Sequence, residues 1–344
     1  MNAKFSRAAT LFAATLIAGS VILPALAAER PDYEKFKSGT FLRYLNAGDG
    51  RIEKTPSIGL SFGERVLHAT LDSGSTGVVV AAAFIPNFDQ LPVIGEGKLT
   101  YTSSGRVMLG SWVTTSLTLS GRDGASVTTE PMPVLAVTRV ACLETARDCR
   151  PNDDPRDIAM VGIGFAREGD RQGQSTPDKN PVLNVAAEGE HRKGYVLTPE
   201  GIHIGLTAEN TRGEFRFVKL ERQADLPDWK GVPACISLGG QTPPACGSML
   251  VDTGVGAMFM TVPSSQVASG PLADGTSVAI LLGTDAASEP LYSFTSGDMS
   301  PMTPSAIHLD VSDKPPFVNT SFHFLNGFDV LYDADGGYAG FRKH

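Results

Sequence analysis

Two short segments of the chain repeat one pattern. Residues 71–74 read LDSG and residues 251–254 read VDTG, and each segment lies beside apolar stretches. One such step on its own is an ordinary turn. A carboxylate at the end of a buried strand is unfavourable, however, unless it is paired or hydrogen-bonded. Two copies in matched surroundings therefore predict that Asp72 and Asp252 face one another, which requires the two halves of the chain to meet.

The composition favours β-structure. The 344 residues include 37 Gly and 23 Pro, and only 19% of them are charged. This balance is typical of many short strands and tight turns rather than of long surface helices. The formal net charge of -8 gives no electrostatic basis for binding nucleic acid or an anionic membrane. We therefore expect a protein with many short strands that binds neither.

Strand-like segments lie on both sides of a polar stretch at residues 168–193. Before it, residues 56–71 alternate apolar and polar side chains and predict a strand pair. After it, residues 330–341 predict a closing hairpin. The polar stretch itself contains one short helix candidate, at residues 181–187. We place the boundary between the halves at its end, which gives an N-terminal part at 28–193 and a C-terminal part at 194–344.

The first 27 residues have the pattern of a secretory signal peptide. Lys4 and Arg7 precede an apolar stretch at residues 11–23, and small residues follow up to Ala27. The apolar core is shorter than the roughly 20 residues that span a bilayer. We expect cleavage after Ala27 and an exported protein, periplasmic or secreted, that has no membrane segment after cleavage. We also expect it to be a monomer.

The four cysteines form two pairs that are close in sequence. Export favours disulfides, and we prefer the local pairing, Cys142 with Cys149 and Cys235 with Cys246, among the three possible connectivities. Zinc is the competing interpretation, but the sequence has no C-x-x-C step and its six His are scattered. We expect no metal and no cofactor.

Two facing carboxylates have a definite chemistry. When they are about 3 Å apart they cannot both ionise, and they share one proton. One then acts as a general base on a bound water while the other donates a proton to a substrate carbonyl. Gly74 and Gly254 allow the backbone to turn and to donate towards the carboxylates. The hydroxyls of Ser73 and Thr253 can bond across to the opposite loop.

These motifs resemble those of the pepsin-like aspartic peptidases over most of the chain. The family pattern of a catalytic Asp followed by Ser or Thr, Gly and Ser is similar to residues 72–75, which end in Ser75, and residues 251–254 match the second loop. Met160-Val161-Gly162 looks like the apolar-apolar-Gly element that closes the first loop. Residues 181–183 resemble the start of the interlobe helix, and residues 330–341 resemble the closing hairpin. The resemblance implies an all-β bilobal fold with a cleft, and peptide hydrolysis by Asp72 and Asp252.

The chain departs from the family pattern at three places. Val255 replaces a Ser or Thr whose hydroxyl bonds the catalytic carboxylate, so the pKa of Asp252 is expected to rise. Asn319 stands where the second apolar-apolar-Gly element would end. Tyr101 resembles the tyrosine of the hairpin that covers the substrate, although it lies close to Asp72 in sequence and Val79 replaces the family's partner Trp. Tyr101 could equally be an ordinary edge-hairpin residue.

Three function classes compete. The first is an exported aspartic endopeptidase that binds an extended polypeptide and cleaves it beside apolar side chains. The second is a catalytically impaired module of the same fold that binds peptides or inhibitors. The third, a serine hydrolase, lacks a G-x-S-x-G elbow. The loops at residues 87–95 and 293–304 are expected to set specificity. Residues 28–55 are short for an inhibitory prosegment, and their six basic residues nearly balance their five acids.

Overall fold

The computed structural model describes residues 30–101, 104–146, 149–167, 175–187, 189–268 and 270–344. The predicted signal peptide at residues 1–27 lies outside the described residues. Among these described ranges, no helix is long and apolar enough to cross a membrane.

Strands make up most of the regular secondary structure of the described chain, as the composition predicts. The strands are β1 Thr40–Arg43, β2 Ser57–Ser61, β3 Val66–Asp72, β4 Thr76–Ala81, β5 Val93–Tyr101, β6 Arg106–Thr115, β7 Thr118–Ser120, β8 Ser126–Thr128, β9 Met132–Cys142, β10 Ala159–Ile163, β11 Gly194–Leu197, β12 Gly201–Ile204, β13 Arg216–Lys219, β14 Val232–Leu238, β15 Ala245–Leu250, β16 Met258–Val262, β17 Ser277–Leu282, β18 Pro290–Thr295, β19 Ile307–Val311, β20 Phe317–Asn319, β21 Phe328–Asp333 and β22 Tyr338–Lys343. Short 3-10 helices cover Ala82–Phe84, Phe88–Gln90, Pro177–Lys179, Pro181–Leu183 and Phe322–Asn326.

The first Asp lies at the centre of a nine-stranded sheet, with the order β5-β6-β9-β4-β10-β3-β2-β7-β8. β4 is buried along its whole length. It lies between its parallel neighbour β9 and β10 in the sheet. Both of its faces are covered, since Val78 and Val80 pack in one hydrophobic cluster and Val79 packs in another, and a strand covered on both faces needs no polar alternation. β10 inserts between β3 and β4 and pairs in parallel with β3, which places Gly162 opposite Asp72.

A seven-stranded sheet repeats this arrangement in the C-terminal half, with the order β18-β17-β14-β15-β20-β16-β19. β20 inserts between β15 and β16, is parallel to β15 and antiparallel to β16. The second Asp follows β15 directly, as the first Asp ends β3. The two sheets therefore present their Asp loops through the same three-strand construction.

A six-stranded sheet joins the halves. Its order is β1-β12-β11-β21-β22-β13, so a strand from near residue 40 pairs with strands from beyond residue 194. The closing hairpin β21–β22 forms as the sequence predicts, with Phe341 opposite Val330. This sheet takes strands from both sides of residue 193. The division of the chain at that residue stays a prediction.

The helix expected at residues 181–187 is a single 3-10 turn, Pro181–Leu183. The Asn180 side chain caps this turn by accepting from the Val182 amide at 3.1 Å. The chain then becomes extended, since Val185 forms a β-bridge with Thr129. Backbone pairing to the nine-stranded sheet thus competes with continuation of the helix.

Both local disulfides form as predicted. Cys142 bonds Cys149, and Cys235 bonds Cys246 across β14 and β15. The described residues contain no free cysteine.

Candidate active site

The two Asp loops meet face to face. A Cβ atom placed on Gly74 would lie 2.4 Å from the carboxyl atoms of Asp252. A Cβ atom placed on Gly254 would lie 2.5 Å from Oδ1 of Asp72 and 3.1 Å from Oδ1 of Asp252. Each glycine therefore leaves the space that the opposite carboxylate fills. Oδ1 of both carboxylates lies near the Gly254 position, and we call Oδ2 of each carboxylate its outer oxygen.

Four hydrogen bonds cross between the loops, and they are reciprocal. The Ser73 amide donates to Thr253 Oγ1 at 2.9 Å, and the Thr253 amide donates to Ser73 Oγ at 3.0 Å. The Ser73 hydroxyl donates to the Val251 carbonyl at 2.7 Å, and the Thr253 hydroxyl donates to the Leu71 carbonyl at 2.6 Å. Both hydroxyl residues are almost fully buried. These bonds hold the two carboxylates in register with each other.

Asp72 receives both of its donors from its own loop. The Gly74 amide donates to Oδ1 at 2.7 Å, and the Ser75 hydroxyl donates to Oδ2 at 2.6 Å. The side chain is 8% exposed. The structure thus places Ser75 beside Asp72, with its hydroxyl on the outer oxygen of the carboxylate.

Asp252 receives its outer donor from a different strand. The Gly254 amide donates to Oδ1 at 2.8 Å, as in the first loop. Val255 has no hydroxyl to offer to Oδ2, and the Asn319 side-chain amide donates to that oxygen instead, at 2.6 Å. The expectation that the carboxylate lacks a second donor is therefore wrong.

The placement of Asn319 also corrects the alignment of the second apolar-apolar-Gly element. In the first half, Met160 lies opposite Thr70 and Val79, two residues before and seven residues after Asp72. In the second half, Asn319 lies opposite Leu250 and Phe259, which have the same spacing from Asp252. Asn319 therefore corresponds to Met160 and not to Gly162.

The electrostatics of the pair are dominated by burial. Removal from water, followed by the charge of Asp72, raises the pKa of Asp252 to about 7. Hydrogen bonds from Asn319 and Gly254 and the positive charge of Arg167 act in the opposite direction. The pKa is raised as the sequence predicts, but the cause is burial beside a second carboxylate rather than a missing donor.

Tyr101 ends strand β5 of the hairpin β5–β6, at an edge of the nine-stranded sheet. Its hydroxyl contacts Met160 Sδ at 3.4 Å, and its ring packs on the cluster that contains Val79. The hairpin is tied down because the Leu143 amide, next to the Cys142–Cys149 bond, donates to the Gly105 carbonyl at 2.8 Å. The role of Tyr101 in covering substrate stays a prediction.

One of the two loops proposed for specificity adjoins the second Asp loop. Part of residues 293–304 lines a cavity of about 420 Å³. Ser305, just beyond it, donates to the Gly256 carbonyl through its amide at 3.0 Å and its hydroxyl at 2.9 Å. The other loop, residues 87–95, contains the 3-10 turn Phe88–Gln90 and the exposed Val93 and Ile94. The cavity therefore lies next to the loop that follows Asp252.

No group of three or more His, Cys, Asp or Glu side chains is arranged to hold a metal ion in the part of the chain that the structure describes. The two carboxylates form a buried, facing pair in which each carboxylate accepts two hydrogen bonds.

No protein-family model matches the sequence, and no curated protein matches it. The structure is similar to the crystal structure of the aspartic proteinase from Irpex lacteus. The TM-score is 0.53 at 14% sequence identity, and the match covers 89% of this chain and 97% of that chain. The protein therefore has the all-β, pepsin-like aspartic proteinase fold.

The residues of the two loops are recognisable from the sequence, but the contact of Asn319 with Asp252 is not. Two signals were present: the missing hydroxyl at Val255 and a polar residue where an apolar element was expected. Neither signal specifies that one residue compensates for the other, because the contact depends on the register of β20 between β15 and β16.

Proposed function

We propose that this protein is an aspartic endopeptidase that hydrolyses peptide bonds with Asp72 and Asp252. The observation that carries the proposal is the reciprocal packing of each carboxylate against the glycine of the opposite loop. Such a pair, buried and hydrogen-bonded in register, is suited to holding one proton and one water between two carboxyl groups.

In this proposal the two carboxyl groups have different tasks. The pKa of Asp252 is raised to about 7 by burial and by the neighbouring charge, so Asp252 holds the proton in acidic solution. Asp72 stays the base, supported by donors from Gly74 and Ser75. Asp72 removes a proton from the water as it attacks the carbonyl carbon, and Asp252 donates its proton to the carbonyl oxygen. The proton on Asp72 then passes to the leaving nitrogen as the C–N bond breaks, and one hydroxyl of the tetrahedral intermediate returns its proton to Asp252, which leaves a carboxylic acid and an amine.

The substrate in this proposal is an extended polypeptide lying between the two halves of the molecule. The hairpin that carries Tyr101 would cover it, and the cavity beside Gly256 would accept a side chain. The two disulfides are compatible with action outside the cytoplasm. Export through the segment 1–27, a monomeric state and the absence of any cofactor complete the proposal.

The test is cleavage of a mixed peptide library between pH 3 and 8. We expect the wild type to cleave it, Asp72→Asn to be inactive, and a statine-type transition-state mimic to inhibit, since such mimics bind tightly where the catalytic geometry is intact. Asp225→Asn, at an exposed carboxylate, is the matched control. A folded wild type that cleaves nothing at any pH would overturn the proposal. Peptide binding by such a protein would then favour the alternative, a peptide- or inhibitor-binding module.

A further inference from the structure

We infer that Asn319 is a positioning residue that supplies, from strand β20, the donor that Val255 cannot supply, and that it favours the ionised form of Asp252 by donating to its outer oxygen. This inference rests on the proposed function, because it concerns how the same carboxylate pair holds its proton. The contact that carries it is the 2.6 Å hydrogen bond from Asn319 Nδ2 to Asp252 Oδ2.

The orientation of the Asn319 amide is set by a second hydrogen bond. Its Oδ1 accepts from the Ser321 backbone amide at 3.1 Å. A backbone N–H only donates, so the oxygen must be the atom on that side and the NH₂ group must face Asp252. The side chain is 9% exposed, and β20 is held between β15 and β16. The donor is therefore fixed in place.

An amide NH₂ and a hydroxyl differ as partners of a carboxyl group. The Ser75 hydroxyl can donate to Asp72 Oδ2 or, if that oxygen is protonated, rotate and accept from it. The Asn319 NH₂ group can only donate. It therefore favours the ionised form of Asp252 and offers no acceptor to the protonated form, whereas a hydroxyl can serve both forms.

The other groups that act on Asp252 do not duplicate this effect. Asp72 faces it from the first loop and Arg167 lies beyond β10, and both act on it through charge. Burial raises the pKa of Tyr332, on β21, and the charge of Asp252 also raises it. Apart from the Gly254 amide, Asn319 is the hydrogen-bond donor to this carboxylate among the described residues.

The sign of the effect on stability follows from the direction of the pKa shift. Because the folded-state pKa of Asp252 is raised, its contribution to stability is fully present below the unfolded value and is lost as the pH rises through about 7. The Asn319 donor favours the charged form and so limits that loss. Removing it is expected to raise the pKa of Asp252 further, by about one unit for a charge-assisted hydrogen bond. The variant is then destabilised most in alkaline solution.

The experiment measures Tm from pH 4 to pH 9 for the wild type, Asn319→Ala, and Asn319→Ala with Val255→Thr. We expect the Tm gap between wild type and Asn319→Ala to widen as the pH rises past 7, and Val255→Thr to reverse the pH-dependent part. We also expect the Tm gap between wild type and Asn319→Ala to stay constant with pH when Asp252→Asn is added to each of these two proteins. In an activity assay, the alkaline limb of kcat/KM would move up by about one pH unit in Asn319→Ala.

A Tm gap that is equal at all pH values, or that still widens with Asp252→Asn present, would overturn the inference and leave Asn319 with a role only in the turn at Ser321. If Asn319→Ala does not fold, recovery of folding by Val255→Thr supports the inference and failure to recover overturns it. These measurements need no turnover. An inactive wild type would therefore count against the proposed function without deciding the role of Asn319.

Discussion

The two Asp loops each provide two hydrogen-bond donors to their carboxylate, but the donors come from different places in the chain. Each carboxylate accepts an amide from the glycine two residues on, and each loop is bonded to the other through Ser73 and Thr253. The outer oxygens differ: Asp72 uses a hydroxyl three residues along its own loop, whereas Asp252 uses an amide from β20. Both donors to Asp72 belong to its own loop, whereas one donor to Asp252 belongs to a strand that is distant in sequence.

This difference shows that the required feature is a donor at a point in space and not a residue at a fixed place in the motif. β10 and β20 occupy equivalent places beside their loops, with Met160 and Asn319 at matching registers. Met160 contacts the Tyr101 hydroxyl, while Asn319 contacts the carboxylate. A single position of the repeated fold has thus been used for two different contacts.

The largest effects are expected where the two loops are equivalent. Asp72→Asn and Asp252→Asn should each lower kcat by between about 10²- and 10⁴-fold, since each removes a group that transfers a proton. Steady-state assays on a peptide selected from the library would measure both losses. A tenfold difference or less between the two variants agrees with a shared task. Full activity in either variant would show that its carboxylate is not needed.

The facing glycines should be intolerant of substitution in both loops. Gly74→Ala and Gly254→Ala place a Cβ 2.4 and 2.5 Å from the opposite carboxylate, so the loops must separate. We expect a loss of about 1–3 kcal/mol in the free energy of unfolding for each variant, together with loss of activity. Gly95→Ala, where nothing lies within 4 Å, is the control. Unchanged stability and kcat in both loop variants would contradict the face-to-face packing.

The outer donors should distinguish the loops. Ser75→Ala removes the hydroxyl bond to Asp72 and is expected to lower kcat by about 10- to 100-fold, as for a hydrogen bond to a charged group of about 1.5–3 kcal/mol. Val255→Thr in the wild type adds a donor beside an oxygen that Asn319 already serves, so kcat should change by less than about threefold. A large increase in kcat from Val255→Thr would mean that the hydrogen bond from Asn319 does not replace the missing hydroxyl.

The two disulfides are expected to contribute similarly to the stability of the protein but to differ in their effect on substrate binding. Replacing either pair with serine should lower the free energy of unfolding by about 2–3 kcal/mol, for closed loops of this length. Loss of the Cys142–Cys149 bond should also raise KM, because the neighbouring Leu143 holds the hairpin that ends at Tyr101. Equal KM values for the two double variants, from the same peptide assay, would show that this anchor does not affect substrate binding.

Local patterns predicted much of this molecule. The meeting of the Asp loops, the cross-bonds of Ser73 and Thr253, both disulfides and the closing hairpin β21–β22 follow from motifs a few residues long. These features depend on residue type and near-neighbour spacing, which the sequence displays directly.

Features set by strand register were not predictable in the same way. The sequence places Asn319 at the end of an apolar-apolar-Gly element, and the pairing of β20 with β15 and β16 shifts it by two residues. A two-residue shift keeps the same face of the strand towards the core, so alternation of apolar residues cannot detect it. The helix expected from Pro181 was shortened for a related reason, since Val185 bridges to Thr129.

We propose that Asp72 and Asp252 work as one pair that holds one proton. The decisive measurement is the pH profile of kcat/KM from pH 2 to 9 for the wild type, with Asp252→Asn measured beside it on the same peptide. We expect a bell-shaped profile whose alkaline limb falls near pH 7, as Asp252 loses its proton, and a kcat/KM for Asp252→Asn that is lower by at least about 100-fold. A loss of less than about tenfold in Asp252→Asn, or a wild-type rate that does not decline between pH 6 and 9, would show that the two groups do not share a proton in this way.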